Sequence, residues 1–152
     1  IKYADLSSDR VKDYVFSFDR MVSFEGDTGP YLLLAYVRIA SIFRKAREQG
    51  VAVEDGGETE FDPAHPAEKA LALKLLQYPS VLESTADALE PHRLCNYLYT
   101  LATAFSGFYE QCPVLKASDE GARGARLRLC SLTQRVVADG LHTLGLPVVE
   151  HI

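Results

Sequence analysis

Apolar positions recur at spacings of three and four residues along most of the chain, which is the signature of helices that each bury one face. Between 30 and 49, Leu32, Ala35, Ile39, Ile42 and Ala46 share a face; Pro30 suits a first turn, where its missing N–H costs nothing, and Gly50 ends the pattern. A second helix is predicted over 66–77, with Leu71, Leu75 and Leu76 inward. After the Tyr78-Pro79 break a third resumes over 80–89 with Val81, Leu82 and Leu89. The strongest stripe follows Pro91: Leu94, Leu98, Leu101, Phe105, Phe108 and Cys112 alternate spacings of four and three, which predicts the helix at the centre of a bundle. The last helix opens near Ser118 with Asp119 and Glu120 in its first turn and runs through Leu127, Cys130, Val137, Leu141 and Leu144 to Gly145. No period-two alternation of strand length occurs, so the expected fold is all-α, an antiparallel bundle of about five helices.

Two segments stand outside this periodicity. Residues 1–29 are mixed and polar, with Tyr3, Tyr14, Phe16, Phe18 and Phe24 and a turn at Gly26-Asp27-Thr28-Gly29; they read as an adaptor leading into a helical domain at 30–152. Residues 51–62, with Gly56-Gly57, read as a surface loop.

At 152 residues and 47% apolar the chain has enough material for one core. The longest apolar run, 31–37, stops at Arg38, far short of the ~20 residues a bilayer span needs. The chain opens on Ile1 without a basic, then apolar, leader, and reads as a piece of a longer protein. Cys95, Cys112 and Cys130 form no C-x-x-C pair and fit neither a disulfide framework nor a zinc site, which suits buried thiols in a reducing cytoplasm.

The net charge of −5 hides a segregation of sign. Residues 48–62 hold six acids and no base, so the remainder carries 16 bases against 15 acids. Residues 30–47 carry Arg38, Arg44, Lys45 and Arg47 without an acid, and 121–138 carry Arg123, Arg126, Arg128 and Arg135 without one. If those helices adjoin, their shared rim attracts phosphate despite the negative total, because a surface field follows local charge. A pair of solvated helix faces is the plainer reading of charge alone.

Catalytic chemistry has no footing in the sequence. No G-x-x-x-x-G-K-[ST] loop and no G-x-G-x-x-G turn is present. His65, His92, His142 and His151 are scattered without the pairing a metal site requires, so no catalytic or metal-ligating residue is assigned.

Two groups of motifs go beyond generic helix. Phe16-Ser17-Phe18-Asp19-Arg20-Met21, then Gly26-Asp27-Thr28-Gly29-Pro30-Tyr31-Leu32 and Arg38-Ile39, preceded by Lys2-Tyr3-Ala4-Asp5-Leu6-Ser7, resemble the region of arginyl-tRNA synthetases that leads from the catalytic domain into the C-terminal anticodon-binding helical domain. Leu94-Cys95-Asn96-Tyr97-Leu98-Tyr99, Phe105-Ser106-Gly107-Phe108-Tyr109 and Cys112-Pro113-Val114-Leu115 resemble that domain's middle helix, and Arg126-Leu127-Arg128-Leu129 with Gly140-Leu141 and Leu144-Gly145-Leu146 its last. The motifs cover nearly the whole chain in the family's order. The resemblance implies a parent that joins arginine to its tRNA, with ATP and Mg bound in a catalytic domain elsewhere in the same chain, and no cofactor in this fragment, which by itself is inactive. The H-x-G-H signature of that domain is absent here. Implied partners are arginine tRNA, through its anticodon stem and loop, and the catalytic domain, with no DNA and no membrane. The chain departs from the family at Asp27, where Asn is usual, at Leu34, often Tyr, and at Ile152, commonly Met.

Anticodon bases are unpaired, so a protein reads them by stacking rings and hydrogen-bonding base edges while Arg and Lys hold the backbone. Tyr31, Arg38 and Lys45 recur at seven-residue intervals and make one stripe of a ring and two cations. With the resemblance, the candidate tRNA-binding residues are Asp27, Tyr31, Arg38, Lys45, Tyr109, Arg126, Arg128 and Ile152. The competing reading is a helical protein-interaction module that uses the same exposed aromatics without RNA.

Overall fold

The computed structural model describes residues 1–9, 12–13, 17–51, 63–117 and 119–149. Among them lie seven helices and no strand: α1 (Lys2–Ser7), α2 (Phe18–Met21), α3 (Gly29–Glu48), α4 (Pro66–Leu76), α5 (Tyr78–Ala88), α6 (Pro91–Gln111) and α7 (Glu120–Thr143). The five long ones are those expected from periodicity. Most of the acidic segment predicted as a loop, 52–62, lies outside the described residues.

Local chemistry starts and stops each element. Thr28 caps α3 by accepting from the Tyr31 N–H, and Pro30 occupies its first turn. At α4, the His65 Nδ1 accepts from the Ala67 N–H while Glu68 reaches back to the His65 N–H, two otherwise unpaired donors satisfied together. Asp119 caps α7 through the Ala122 N–H, and Gly145, at φ +68°, closes its far end.

Every member of the predicted α6 stripe, from Leu94 to Cys112, is fully buried. Helices α1, α3, α4, α5 and α7 all pack against α6. Contacts fix the sense of each neighbour. Arg126 near the start of α7 meets Glu68 at the start of α4 and the Pro113 carbonyl just past the end of α6, whereas Gly140 near the end of α7 meets Leu98. With Tyr3 joining Asp27, just before α3, to Cys95 near the start of α6, helices α3 and α6 run one way and α4 and α7 the other, an antiparallel bundle.

Three expectations about inward faces change. Leu76 is 76% exposed, because five residues beyond Leu71 is about 140° further round the helix, whereas Leu75, four residues on, stays against the core. Leu89 is also outward: it closes α5 in the left-handed conformation, φ 54°, so its side chain leaves the packed face. Tyr3, in the stretch read as lying outside the periodic core, is buried on α6, donating its hydroxyl to Asp27 and to the Cys95 carbonyl. A six-residue helix is too short to display a period, so its single buried ring left no pattern. All three cysteines are buried and free; burial pushes the thiols of Cys95 and Cys130 up to about 12.

The approach of α7 to α6 at Gly140 identifies a position sensitive to one methyl group. A Cβ on Gly140 would stand 2.7 Å from Cδ2 of the fully buried Leu98, while a Cβ on Gly124 meets nothing within 4 Å. Gly140→Ala is expected to lower stability by about 1–3 kcal/mol through overpacking, although Ala is the better helix former. Gly124→Ala is expected to raise it by up to about 1 kcal/mol. Urea midpoints of the two variants check this; equal shifts of one sign would disprove the packing argument.

Candidate nucleic-acid interface

Four basic and aromatic groups meet along a groove where α3 faces the end of α6 and the turn after it. Ile42, Val114 and Leu115 make the apolar floor, continuous with the core, and Pro113 sets the turn. Arg38 and Lys45 of α3 stand on one wall, both exposed, two turns apart on the stripe read from the sequence. Tyr109 of α6 and Lys116 of the turn stand on the other. The groove encloses about 380 Å³, and among the described residues no acidic side chain lines it.

Tyr109 occupies its place because of core register. Phe105 and Phe108 point inward without exposure, and the next residue turns by about 100°, which leaves the Tyr109 ring 43% exposed and stacked at 6.1 Å on Phe105. The inner ring braces the outer one, and a flat face remains for a second planar partner.

Tyr31 is placed differently. It is half-buried, its ring 5.6 Å from Tyr99 and its hydroxyl 3.4 Å from the Ser106 Oγ, so it leans across α6 and lies outside the groove's lining. It shares the α3 stripe with Arg38 but lies about 10 Å along the axis from it.

Two sequence-predicted residues are engaged elsewhere. Arg126, expected to meet phosphate, donates from Nε to Glu68 Oε1 at 2.6 Å and from Nη1 to the Pro113 carbonyl at 3.0 Å, with 16% of its side chain exposed. Burial pushes the Glu68 carboxyl up, but the His65 N–H and the Arg126 guanidinium more than offset that and hold it below the usual carboxylate range. Arg126 thus clasps α7 to α4 and to the turn that carries Lys116, and its role in the groove is to hold the wall in place. Asp27 lies at the opposite end of α3, taking the Tyr3 hydroxyl at 2.5 Å. Burial raises its carboxyl above the ordinary range, and the Tyr3 bond only partly counters this. Arg128 is exposed on α7 and is not among the residues lining the groove. Ile152 lies outside the described residues.

Sequence reasoning missed Lys116. It sits in a connection with no period, and only the return of the chain after Pro113 brings it opposite Lys45.

Comparison with known proteins bears on the family and the fold. A family model described as "DALR anticodon binding domain" matches residues 32–152. Arginine–tRNA ligase of Frankia casuarinae is 53% identical over 152 residues, covering all of this chain and 25% of the relative, and that of Ectopseudomonas mendocina is 50% identical over 153 residues, covering all of this chain and 26% of the relative. The chain therefore spans about a quarter of the length of the curated relatives it matches. Among solved structures, Thermus thermophilus arginyl-tRNA synthetase superposes with a TM-score of 0.88 at 35% identity, over 99% of this chain and 26% of that one. The Plasmodium falciparum enzyme gives 0.87 at 36% identity, over 99% and 26%.

The two engaged residues have separable consequences. Arg126→Ala strands a buried carboxylate and is expected to cost about 3 kcal/mol of stability; an unchanged urea midpoint would return Arg126 to the surface. Asp27→Asn keeps an oxygen for the Tyr3 hydroxyl and removes a desolvated charge. Because the folded-state pKa of Asp27 is raised, the parent loses stability as pH rises from the unfolded value through the folded one. The variant is expected to be the more stable at pH 7, with the gap closing below about pH 4, as thermal unfolding across pH would report.

Proposed function

Since this chain belongs to the DALR anticodon binding domain family, we propose that it grips the anticodon stem and loop of arginine tRNA on behalf of a longer arginine–tRNA ligase. The observation that carries the reading is the groove, free of acidic groups among the described residues, in which Arg38, Lys45 and Lys116 stand about the exposed ring of Tyr109 above an apolar floor. A splayed-out base stacks on Tyr109, supported from behind by Phe105, and the cations hold the flanking phosphates. Tyr31 and Arg128 extend the contact beyond the groove, and Ile152 is a further candidate contact. Asp27 acts by anchoring Tyr3 beneath the first turn of α3.

In this reading residues 1–29 lead from the catalytic domain and 30–152 form the binding bundle. Activation of arginine with ATP and Mg belongs to that other domain, since no phosphate loop or H-x-G-H signature is available here. The partners are arginine tRNA and the catalytic domain of the same polypeptide, in the cytoplasm. Among the described residues no helix is long and apolar enough to cross a membrane.

Tyr109→Ala is expected to weaken binding of arginine tRNA by about 1–3 kcal/mol, the usual cost of one lost base stack, without loss of helicity. Arg38→Ala is expected to flatten the salt dependence of affinity by about one unit of slope. Gel-shift titrations against arginine tRNA and an anticodon-mutated tRNA read both. Equal affinity for the two RNAs in the unmodified protein would sink the anticodon reading and favour the protein-interaction module.

A further inference from the structure

The ring of Tyr31 is placed by α6 rather than by its own helix. Leu32, Ala35 and Ile39 carry the buried face of α3, and Tyr31 stands about 100° round from Leu32, at the edge of that face. Two side chains of α6 receive it. The ring centroid lies 5.6 Å from that of Tyr99 with the planes tilted by 55°, within the range of favourable ring pairs, and the hydroxyl reaches the Ser106 Oγ at 3.4 Å. Tyr99 and Ser106 are seven residues apart and share one stripe of α6, so the Tyr31 side chain bridges two turns of that helix.

The same stripe leads to the groove. Because α3 and α6 run one way, a step of seven residues along both carries Tyr31, beside Tyr99 and Ser106, to Arg38, which lines the groove with Tyr109 and Pro113. Tyr109 is one turn beyond Ser106 and about 15 Å from Tyr99 along the axis. Ser106 thus stands at the junction of the Tyr31 contact and the groove. A ring that takes a base gains from being held beforehand, because a side chain free in water loses its rotamer freedom on binding and a braced one has already lost it. At 3.4 Å the Ser106 contact is long for two hydroxyls, and either oxygen can donate. It steers the phenol while leaving it able to give or accept a further bond at a base edge.

We propose that Tyr99 and Ser106 are positioning residues for RNA: they fix the Tyr31 ring in line with Tyr109, so that the seam between α3 and α6 presents two rings along one track. The proposal rests on the reading of this chain as an anticodon-binding domain. Tyr99 acts on the ring of Tyr31 and Ser106 on its hydroxyl. Both work through Tyr31 and need not touch the RNA.

The test is a set of double-mutant cycles in the full-length polypeptide, read by gel-shift titration with arginine tRNA and the anticodon-mutated tRNA, alongside urea midpoints. Tyr99→Leu and Ser106→Ala are each expected to weaken binding of arginine tRNA by about two- to tenfold, the range for one side chain left to be ordered on binding. Neither should have a further effect once Tyr31→Ala is present. In the Tyr31→Phe background Ser106→Ala should also be silent, because the hydroxyl it served is gone, and Ser106→Thr, which keeps a hydroxyl, should bind as the unmodified protein does. A lower urea midpoint with unchanged affinity in the folded variants would overturn the proposal, as would a loss that persists in full without the Tyr31 ring. If Tyr99→Leu does not fold, the half-buried Ser106 decides the matter through its own cycle. Coupling to Tyr31 in a protein that binds both RNAs equally supports the positioning role and removes the anticodon reading. Discrimination without coupling overturns the positioning role and leaves that reading standing.

Discussion

The dry face of α6 is the constraint on which the rest of the structure depends. Leu94, Leu98, Leu101, Phe105 and Phe108 are excluded from water, and each such side chain contributes about 1.5–3 kcal/mol relative to exposure. No single neighbour covers a stripe that long, so α1, α3, α4, α5 and α7 all lie against it. Close packing then sets how near each comes, and Gly140 is where α7 passes over Leu98 without room for a methyl group. The same register that turns Phe108 inward turns Tyr109 outward, so the exposed ring of the groove is a geometric consequence of the core.

Polar groups divide between holding the bundle and facing outward. Glu68 answers to the His65 N–H and to Arg126, and in doing so joins α4, α7 and the turn after α6 into one rigid wall. Tyr78 does similar work between α5 and α7 through Asp139. Among the described residues no acid joins Arg38, Lys45 and Lys116 in lining the groove. A protein of net charge −5 can thereby present a locally positive surface.

The first 29 residues hold two kinds of element side by side. Tyr3 sinks into the bundle with its hydroxyl satisfied twice, whereas α2 keeps its apolar side chains in water. One piece belongs to this core. The other contributes nothing to it.

Much of this was legible before any coordinates. Which face of α3, α6 and α7 is buried follows from spacing alone, because a helix repeats every 3.6 residues wherever it is placed, and Ile39, Phe105 and Val137 went where that period sends them. Thr28, Asp119 and Gly145 act within a few residues of themselves, so helix ends were readable too, as was the crowding of Arg38 and Lys45 on one stripe. The tertiary structure alone decided which long polar side chains remain available to a ligand. Arg126 shares the α7 face of Cys130, Thr133 and Val137, but only the arrival of Glu68 from 58 residues away gives its guanidinium a carboxylate partner there. Asp27 found Tyr3 across 24 residues, and Lys116 reached the groove from a connection with no period. A periodic pattern is a local property of the chain, while the partner of a flexible charged group is set by whichever distant element the fold brings within about 3 Å.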